Sequence, residues 1–414
     1  MSKCLVMLTK CYPYGVGEEF IENELPVVAR KFDRVILIAT SVSGSHTPTR
    51  PIPKNAEPHA IDARRVLLDV PGPALRFAAF PPKAAFPAAE RAAANTFWKR
   101  LYFGYLAAKG KAVARAASAV LKDAGLSPGD SVVFYSYWFY DTAVAAVLLR
   151  SRSRQAHTRA VSRAHGYDLY PSRSPLCYLP LRPWLLKNLD AVYPCSVSGA
   201  RLLRKEYPEF AWKVETAYLG TRDYGLGPPN HGKTFHLVSC CHLVPVKRIN
   251  LLARSLQKLS GSGIRLQWTH VGGGKSFQKL RQYAERNLGF MECRFPGEME
   301  NRALMEFYRK TPVDCFVNTS SSEGLPVSVM EACSFGIPIL ATDVGGTSEI
   351  VQDRVNGYLL RPDFEPGDLA GKIRDFCATP AGIRATFRSA SRKIWEERFS
   401  AETNYEKFAR ALLL

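Results

Sequence analysis

Residues 320–350 read SSSEGLPVSVMEACSFGIPILATDVGGTSEI. Two carboxylates, Glu323 and Glu331, stand here with seven residues between them. The first closes a Ser-rich loop. Pro326 follows, suited to the first turn of a helix, where a missing N–H would have had no partner anyway. Val327 to Phe335 continues as that helix, and Gly336 stops it where left-handed backbone is needed. Pro338 to Ala341 then reads as a short buried strand, and Gly345-Gly346 opens a further turn. Glu323 is thus expected at a helix N-terminus, with Glu331 about two turns further along the same element. A helix N-terminus offers free N–H groups and the positive end of a dipole, a ready site for phosphate. A phosphate cradle flanked by two carboxylates that accept from sugar hydroxyls describes a nucleotide-sugar site.

The rest of the chain frames that segment. Its 414 residues exceed one typical core and suit two domains. A hydrophobic content of 46% with 22% charged residues fits a globular protein. The ten cysteines form no C-x-x-C pair and no metal-ligand spacing, and the chain opens on a strand-like run rather than a signal peptide. Reduced thiols in a cytoplasmic compartment follow as the expectation. The most apolar stretch, Ser131 to Leu149, is interrupted by Asp141 and changes from β-rich to helical, so it reads as a strand plus a helix, not a membrane span.

The net charge of +19 is uneven: residues 1–225 hold 31 Lys and Arg against 18 Asp and Glu, or +13, leaving +6 for the remainder. Arg64 to Lys122 carries eleven basic residues and only Asp69 and Glu90 as acids. Phe97, Trp98, Tyr102, Phe103 and Tyr105 are set there among Lys99, Arg100, Lys109 and Lys111. Basic residues interleaved with aromatics suit nucleic acid or a membrane surface. With no nucleic-acid motif alongside, an anionic membrane surface is the expected partner.

Strands and helices alternate from Lys3 onward. In the first half strands are expected at Lys3 to Thr9, Arg34 to Thr40, Ser131 to Trp138, His157 to Gly166 and Leu189 to Ser196, and helices from about Glu18, through the basic stretch, up to about Arg150 and at Gly199 to Tyr207. Ser41 to Pro58, rich in Ser and Pro, is assigned no regular structure. The rhythm restarts at Thr234 and runs into the opening segment, and two helices from about Ile383 close the chain. Gly220 to Lys233, rich in Gly and Pro, reads as the linker. This pattern predicts two doubly wound α/β domains.

The segment containing Glu323 and Glu331 resembles the Glu, seven residues, Glu signature of the retaining glycosyltransferases of family 4, the glycosyl transferases group 1, which have the GT-B fold. That resemblance implies two Rossmann-like domains facing across a cleft: 1–225 for the acceptor, 226–395 for the nucleotide-sugar, and a helix at 396–414 packing back on the first. It implies that Glu323 lies by the donor sugar and that Glu331 binds the ribose. CYPYGVGEEF, residues 11–20, is similar to the family's first Gly-rich loop, which puts Gly15 and Gly17 near the diphosphate or the acceptor. SRAHGYDLY, residues 162–170, resembles a loop whose His, here His165, reaches the donor sugar, and strand ends are where open α/β sheets place ligands.

CCHLVPVKRIN, residues 240–250, resembles the family's basic motif for the diphosphate. Lys247 matches its Lys, His242 stands where many members carry Arg, and Arg248 follows, so one cation or two could serve. VGGGKS, residues 271–276, lacks a proper G-x-G-x-x-G and reads as a turn after a strand. FPGEMEN, residues 295–301, resembles the turn that meets the base near Gly297 and Glu298. The chain has no Asp-x-Asp pair, so no metal cofactor is expected; charge compensation falls to Lys247 and the helix start at Gly324, Leu325, Pro326 and Val327.

The reading is a metal-independent, retaining hexosyltransferase, using a UDP-sugar and a saccharide acceptor, expected to be lipid-linked, at the inner face of the cell membrane. It resembles enzymes that build bacterial surface polysaccharides. Two other readings stay open: a GT-B nucleotide-sugar 2-epimerase, disfavoured by the basic, aromatic first domain, and a catalytically silent scaffold subunit, disfavoured by the intact carboxylates and Lys247.

Overall fold

A computed structural model describes residues 2–80 and 88–414. Two six-stranded parallel sheets organise the chain. The first joins β1 (Lys3–Thr9), β2 (Arg34–Val42), β3 (Ala56–Asp62), β4 (Ser131–Ser136), β5 (His157–Ala164) and β6 (Ala191–Pro194) in the order β3-β2-β1-β4-β5-β6. The second joins β7 (Phe235–Cys240), β8 (Leu266–Val271), β9 (Glu292–Gly297), β10 (Cys315–Asn318), β11 (Ile339–Thr342) and β12 (Gly357–Leu360) in the order β12-β11-β10-β7-β8-β9. With β7 taken as its first strand, the second sheet repeats the order of the first. In each, the strand order reverses beside the first strand, between β1 and β4 and between β7 and β10. Loops leaving the carboxyl ends there open onto the crevice where such sheets bind ligands.

The central strands are apolar runs because helices cover both faces. In β1 six of seven residues are buried, and Cys4 registers with Arg34 on one side and Val132 on the other. In the second sheet Leu237, Trp268, Val317 and Leu340 pack with Leu252, Leu369 and Ile373 of its helices. Each such side chain contributes about 1.5–3 kcal/mol by leaving water.

The chain divides into two compact units, Met1–Tyr218 with Glu402–Leu414, and Leu219–Ala401. The Gly- and Pro-rich stretch taken as a linker is held to the second unit: Gly227 N donates to Phe335 O at 3.0 Å, and Asn230 Nδ2 to Thr234 O at 2.8 Å. The helix Ala401–Leu412 packs mainly on the first unit. There Phe408 meets Tyr135 and Tyr193 edge-on, at 5.4 and 5.1 Å, and the buried Arg163 guanidinium lies 4.0 Å from the Phe408 ring. Arg163 also pairs with the buried Glu24 at 2.9 Å.

Two expectations are corrected. Residues 41–58 are not wholly irregular: β2 runs to Val42 and β3 begins at Ala56, with Pro58 tolerated on an edge strand. The basic stretch is only partly a surface. Its 28-residue helix Phe97–Ala124, capped by Thr96 and ended at left-handed Gly125, packs closely on Asp141–Arg152, where a Cβ on Gly110 would stand 2.5 Å from Val144. Phe103 stacks on Phe77 in the core and Lys109 pairs with buried Asp141 at 3.0 Å. Lys83 and the side chain of Arg91 lie outside the described residues. Ser131–Leu149 is a strand followed by a helix, and no helix among the described residues is long and apolar enough to cross a membrane.

Candidate functional site

In the second unit the loops after β7 and β10 meet at the reversal point. Pro245–Lys247 forms a single 3₁₀ turn, and Arg248 then takes left-handed backbone (φ 49°) before the helix Ile249–Gln257. A non-glycine residue there is strained, and its guanidinium holds it: Nε donates to Thr319 O, one terminal nitrogen to Pro362 O, both at 2.7 Å, and the other to Ser320 O at 3.2 Å. Arg248 therefore braces the β10 loop, with Thr342 Oγ1 as a further acceptor at 3.3 Å.

That brace sets Lys247 Nζ 2.6 Å from Glu323 Oε1, with Asn318 Nδ2 3.4 Å from the same oxygen. Glu323 is buried, and burial pushes its carboxyl up, but the Lys247 ammonium and hydrogen bonds from Ser320 and Asn318 outweigh this and hold it below the usual range. An ionised carboxylate and an ammonium thus form a largely buried pair. Buried ion pairs are poor stabilisers, which makes this one a candidate for chemistry. Gly345 lies against this loop at φ 57°, where a Cβ would fall 1.8 Å from Glu323 O.

The helix spans Val327–Ser334, with Pro326 as its extended N-cap residue. Glu323 accordingly sits in the loop ahead of the cap, not in the first turn. Gly324, Leu325 and Pro326 are buried and Val327 is half-buried. Further along, buried Glu331 accepts from Asn301 Nδ2 at 2.7 Å, and burial pushes its carboxyl up to about 7. Gly297 ends β9 at φ 81°, and the exposed Glu298 after it lies 3.5 Å from His242 Nδ1. The predicted residues of this unit thus form two contacts, Lys247 with Glu323 and His242 with Glu298.

In the first unit the β1 loop differs from expectation. Gly17 takes φ 104° and its N–H donates to Glu19. Glu18 then turns its carboxylate onto the amides of Lys10, Cys11 and Tyr12, at 2.9, 2.7 and 2.8 Å. Consecutive amides make an anion cradle, and here the chain fills that of Lys10 to Tyr12 itself, while Gly15 N donates to Thr49 Oγ1 at 3.1 Å. His165 is buried, its ring 4.8 Å from Tyr137 and 4.7 Å from Trp138. Asp168 fixes the loop by accepting from the amides of His165 (2.7 Å) and Phe139 (2.8 Å), and fully buried Arg182 donates to the carbonyls of Phe139 and Asp168. His165 Nδ1 faces Asp168 Oδ2 at 3.9 Å, and neither ring nitrogen makes a hydrogen bond within 3.5 Å among the described residues.

Sequence reasoning missed Asn301, Asn318, Glu18 and Asp168. Asp168 alone left a local signal, three residues after His165 in the quoted HGYD. Among the described residues no group of three His, Cys, Asp or Glu is placed to hold a metal ion.

Residues 228–394 match the family model for glycosyl transferases group 1. The match lies within the second unit. The lipopolysaccharide 1,6-galactosyltransferase of Escherichia coli (strain K12) is 31% identical over 164 residues, 37% of this chain and 42% of that protein. The O-antigen biosynthesis glycosyltransferase WbnH of Escherichia coli is 36% identical over 117 residues, 28% of this chain and 30% of its relative. The matches thus span less than half the length of these curated relatives. Over whole chains the likeness is one of fold. The lipopolysaccharide outer core galactosyltransferase WaaB superposes with a TM-score of 0.67 at 16% identity, over 99% of both chains. Anabaena Alr3699/HepE, solved with UDP and glucose, gives 0.64 at 18% over 100% of both. Two Rossmann-like units of this kind make the fold GT-B.

Proposed function

We propose that this chain is a retaining, metal-independent glycosyltransferase that moves a hexose-type sugar from a UDP-sugar to a hydroxyl of a lipid-linked saccharide, in polysaccharide or glycolipid biosynthesis. The carrying observation is the Lys247–Glu323 pair at 2.6 Å, within the residues that match the group 1 family model and one loop ahead of the helix bearing Glu331. Glu331 accepts from the ribose hydroxyls. Lys247 and the first-turn N–H groups after Pro326 take up the charge that grows on the departing diphosphate. Glu323, ionised, supports the positive charge on the sugar while the acceptor hydroxyl attacks the face the diphosphate leaves. The first unit binds the acceptor, and within it His165 serves a sugar hydroxyl.

The same reading places the protein at the inner face of the cell membrane. Leu68, Leu75, Phe80, Phe97 and Trp98 are exposed, along with Arg64, Arg65 and Arg76, a pairing suited to an anionic lipid surface. The test of the activity is UDP release from a panel of UDP-sugars with and without lipid-linked saccharides, and the anomeric configuration of the product. Acceptor-dependent release with retention supports the reading. No release from any UDP-sugar, or an inverted product, sinks it.

A further inference from the structure

Lys10 leaves β1 at the reversal point of the first sheet. Its ammonium lies 4.3 Å from the centre of the Tyr167 ring and 5.2 Å from that of Trp138. It is half-buried and makes no ion pair or hydrogen bond with any described residue. The neighbouring carboxylates are already engaged. Glu18 caps three amides and accepts from the Trp138 indole, Asp168 holds two amides, and Asp141 pairs with Lys109 at 3.0 Å. Burial pushes the Lys10 ammonium below its ordinary value and Lys109 adds to this, outweighing the opposing pull of Asp141, Asp168 and Glu18. The Tyr167 hydroxyl is buried without a hydrogen-bond partner among the described residues, and His165 Nδ1 faces Asp168 Oδ2 at 3.9 Å.

An ammonium in such a place is costly unless something brings it a counter-charge, and in a low-dielectric setting that counter-charge is held more strongly than in water. We propose that this cluster of side chains in the first unit binds the acidic group of the saccharide acceptor, a phosphodiester or a sugar carboxylate, with Lys10 reading the charge and Tyr167 donating its hydroxyl alongside. The proposal rests on the glycosyl-transfer reading and adds to it the class of acceptor.

Titration calorimetry tests it with three probes: octyl glucoside, octyl glucuronide, and glucose joined to an octyl chain by a phosphodiester. Wild type should bind one or both acidic probes about tenfold or more tightly than the neutral one. Lys10→Met should remove that preference and Lys10→Arg should keep it, with UDP affinity unchanged in both. A preference for the phosphodiester assigns phosphate, and the reverse assigns carboxylate. Equal affinities, no binding of any probe, or a preference that survives in Lys10→Met overturns the proposal. Binding of the acidic probes without binding of UDP would fail the donor reading while leaving this one standing.

Discussion

Glu323 and Glu331 are both buried carboxylates, yet their neighbours push them apart. Lys247 keeps Glu323 ionised, whereas Glu331 has one amide donor and is pushed up to about 7. On the proposed function, ribose hydroxyls donate to the ionised form, so UDP binding should expel the proton. UDP affinity should then rise about tenfold from pH 6 to pH 8, with proton release seen as a buffer-dependent calorimetric enthalpy; a flat profile contradicts the assignment. Stability runs the opposite way. The unfolded carboxyl titrates near 4.5 and the folded one near 7, so this group costs nothing below 4.5 and the protein loses stability as pH rises between the two values. Glu331→Gln should flatten both profiles. The two acids should also fail differently under substitution. Glu331→Ala should weaken UDP binding about 10- to 150-fold, while Glu323→Gln should lower turnover with little change in UDP affinity; unchanged UDP affinity in Glu331→Ala removes its role. These residues were legible because chemistry and spacing coincide in one short segment. Asn301 was not, because it meets Glu331 from 30 residues away and an Asn opening a helix carries no mark of its partner.

The loop carrying Glu323 is shaped by what surrounds it. Arg248 ties it to β7, and Gly345 packs against its carbonyl. Gly345→Ala must move the loop, and a shift of about 1 Å at reacting groups can cost about 100-fold in rate. Turnover should therefore collapse while circular dichroism shows the helices intact; full activity in this variant would show the loop to be tolerant. Lys247→Ala should likewise cripple transfer, whereas EDTA should leave it largely intact; loss to EDTA restored by manganese would mean a metal serves the diphosphate. The apolar parallel strands around this site were readable, since burial on both faces leaves continuous runs. AEPHAID, now β3, was not, because Pro58 and alternating polar residues mark an edge and resemble a loop. Glu18 was read into a helix. Its place ahead of Ile21, with its carboxylate folded onto three amides, depends on a left-handed φ of 59° that no sequence pattern announces.

Over the whole molecule, charge asymmetry and exposed apolar residues converge on the helices between Ala63 and Ala124. Each basic side chain near an anionic bilayer contributes about 1 kcal/mol, so a few suffice for reversible docking. Sedimentation with anionic vesicles should be strong, absent with neutral ones, and reversed by high salt. Arg64, Arg65 and Arg76 changed together to Glu, or Trp98→Ser, should weaken it, whereas unchanged sedimentation in both leaves only a solvated face. Lys109 and Phe103 no longer belong in that test, since sequence alone could not tell core from surface on a helix this long.

The return of residues 402–414 to the first unit has a consequence for how the chain is made. On the ribosome the second unit emerges whole, with all of its strands in succession. The first waits, its Arg163 and Tyr135 uncovered, until Tyr405 and Phe408 arrive from the far side of the second. A nascent chain arrested anywhere within the second unit therefore displays an unfinished apolar face on the first, one that chaperones and proteases can recognise, and translation must run past Phe408 before that face is closed.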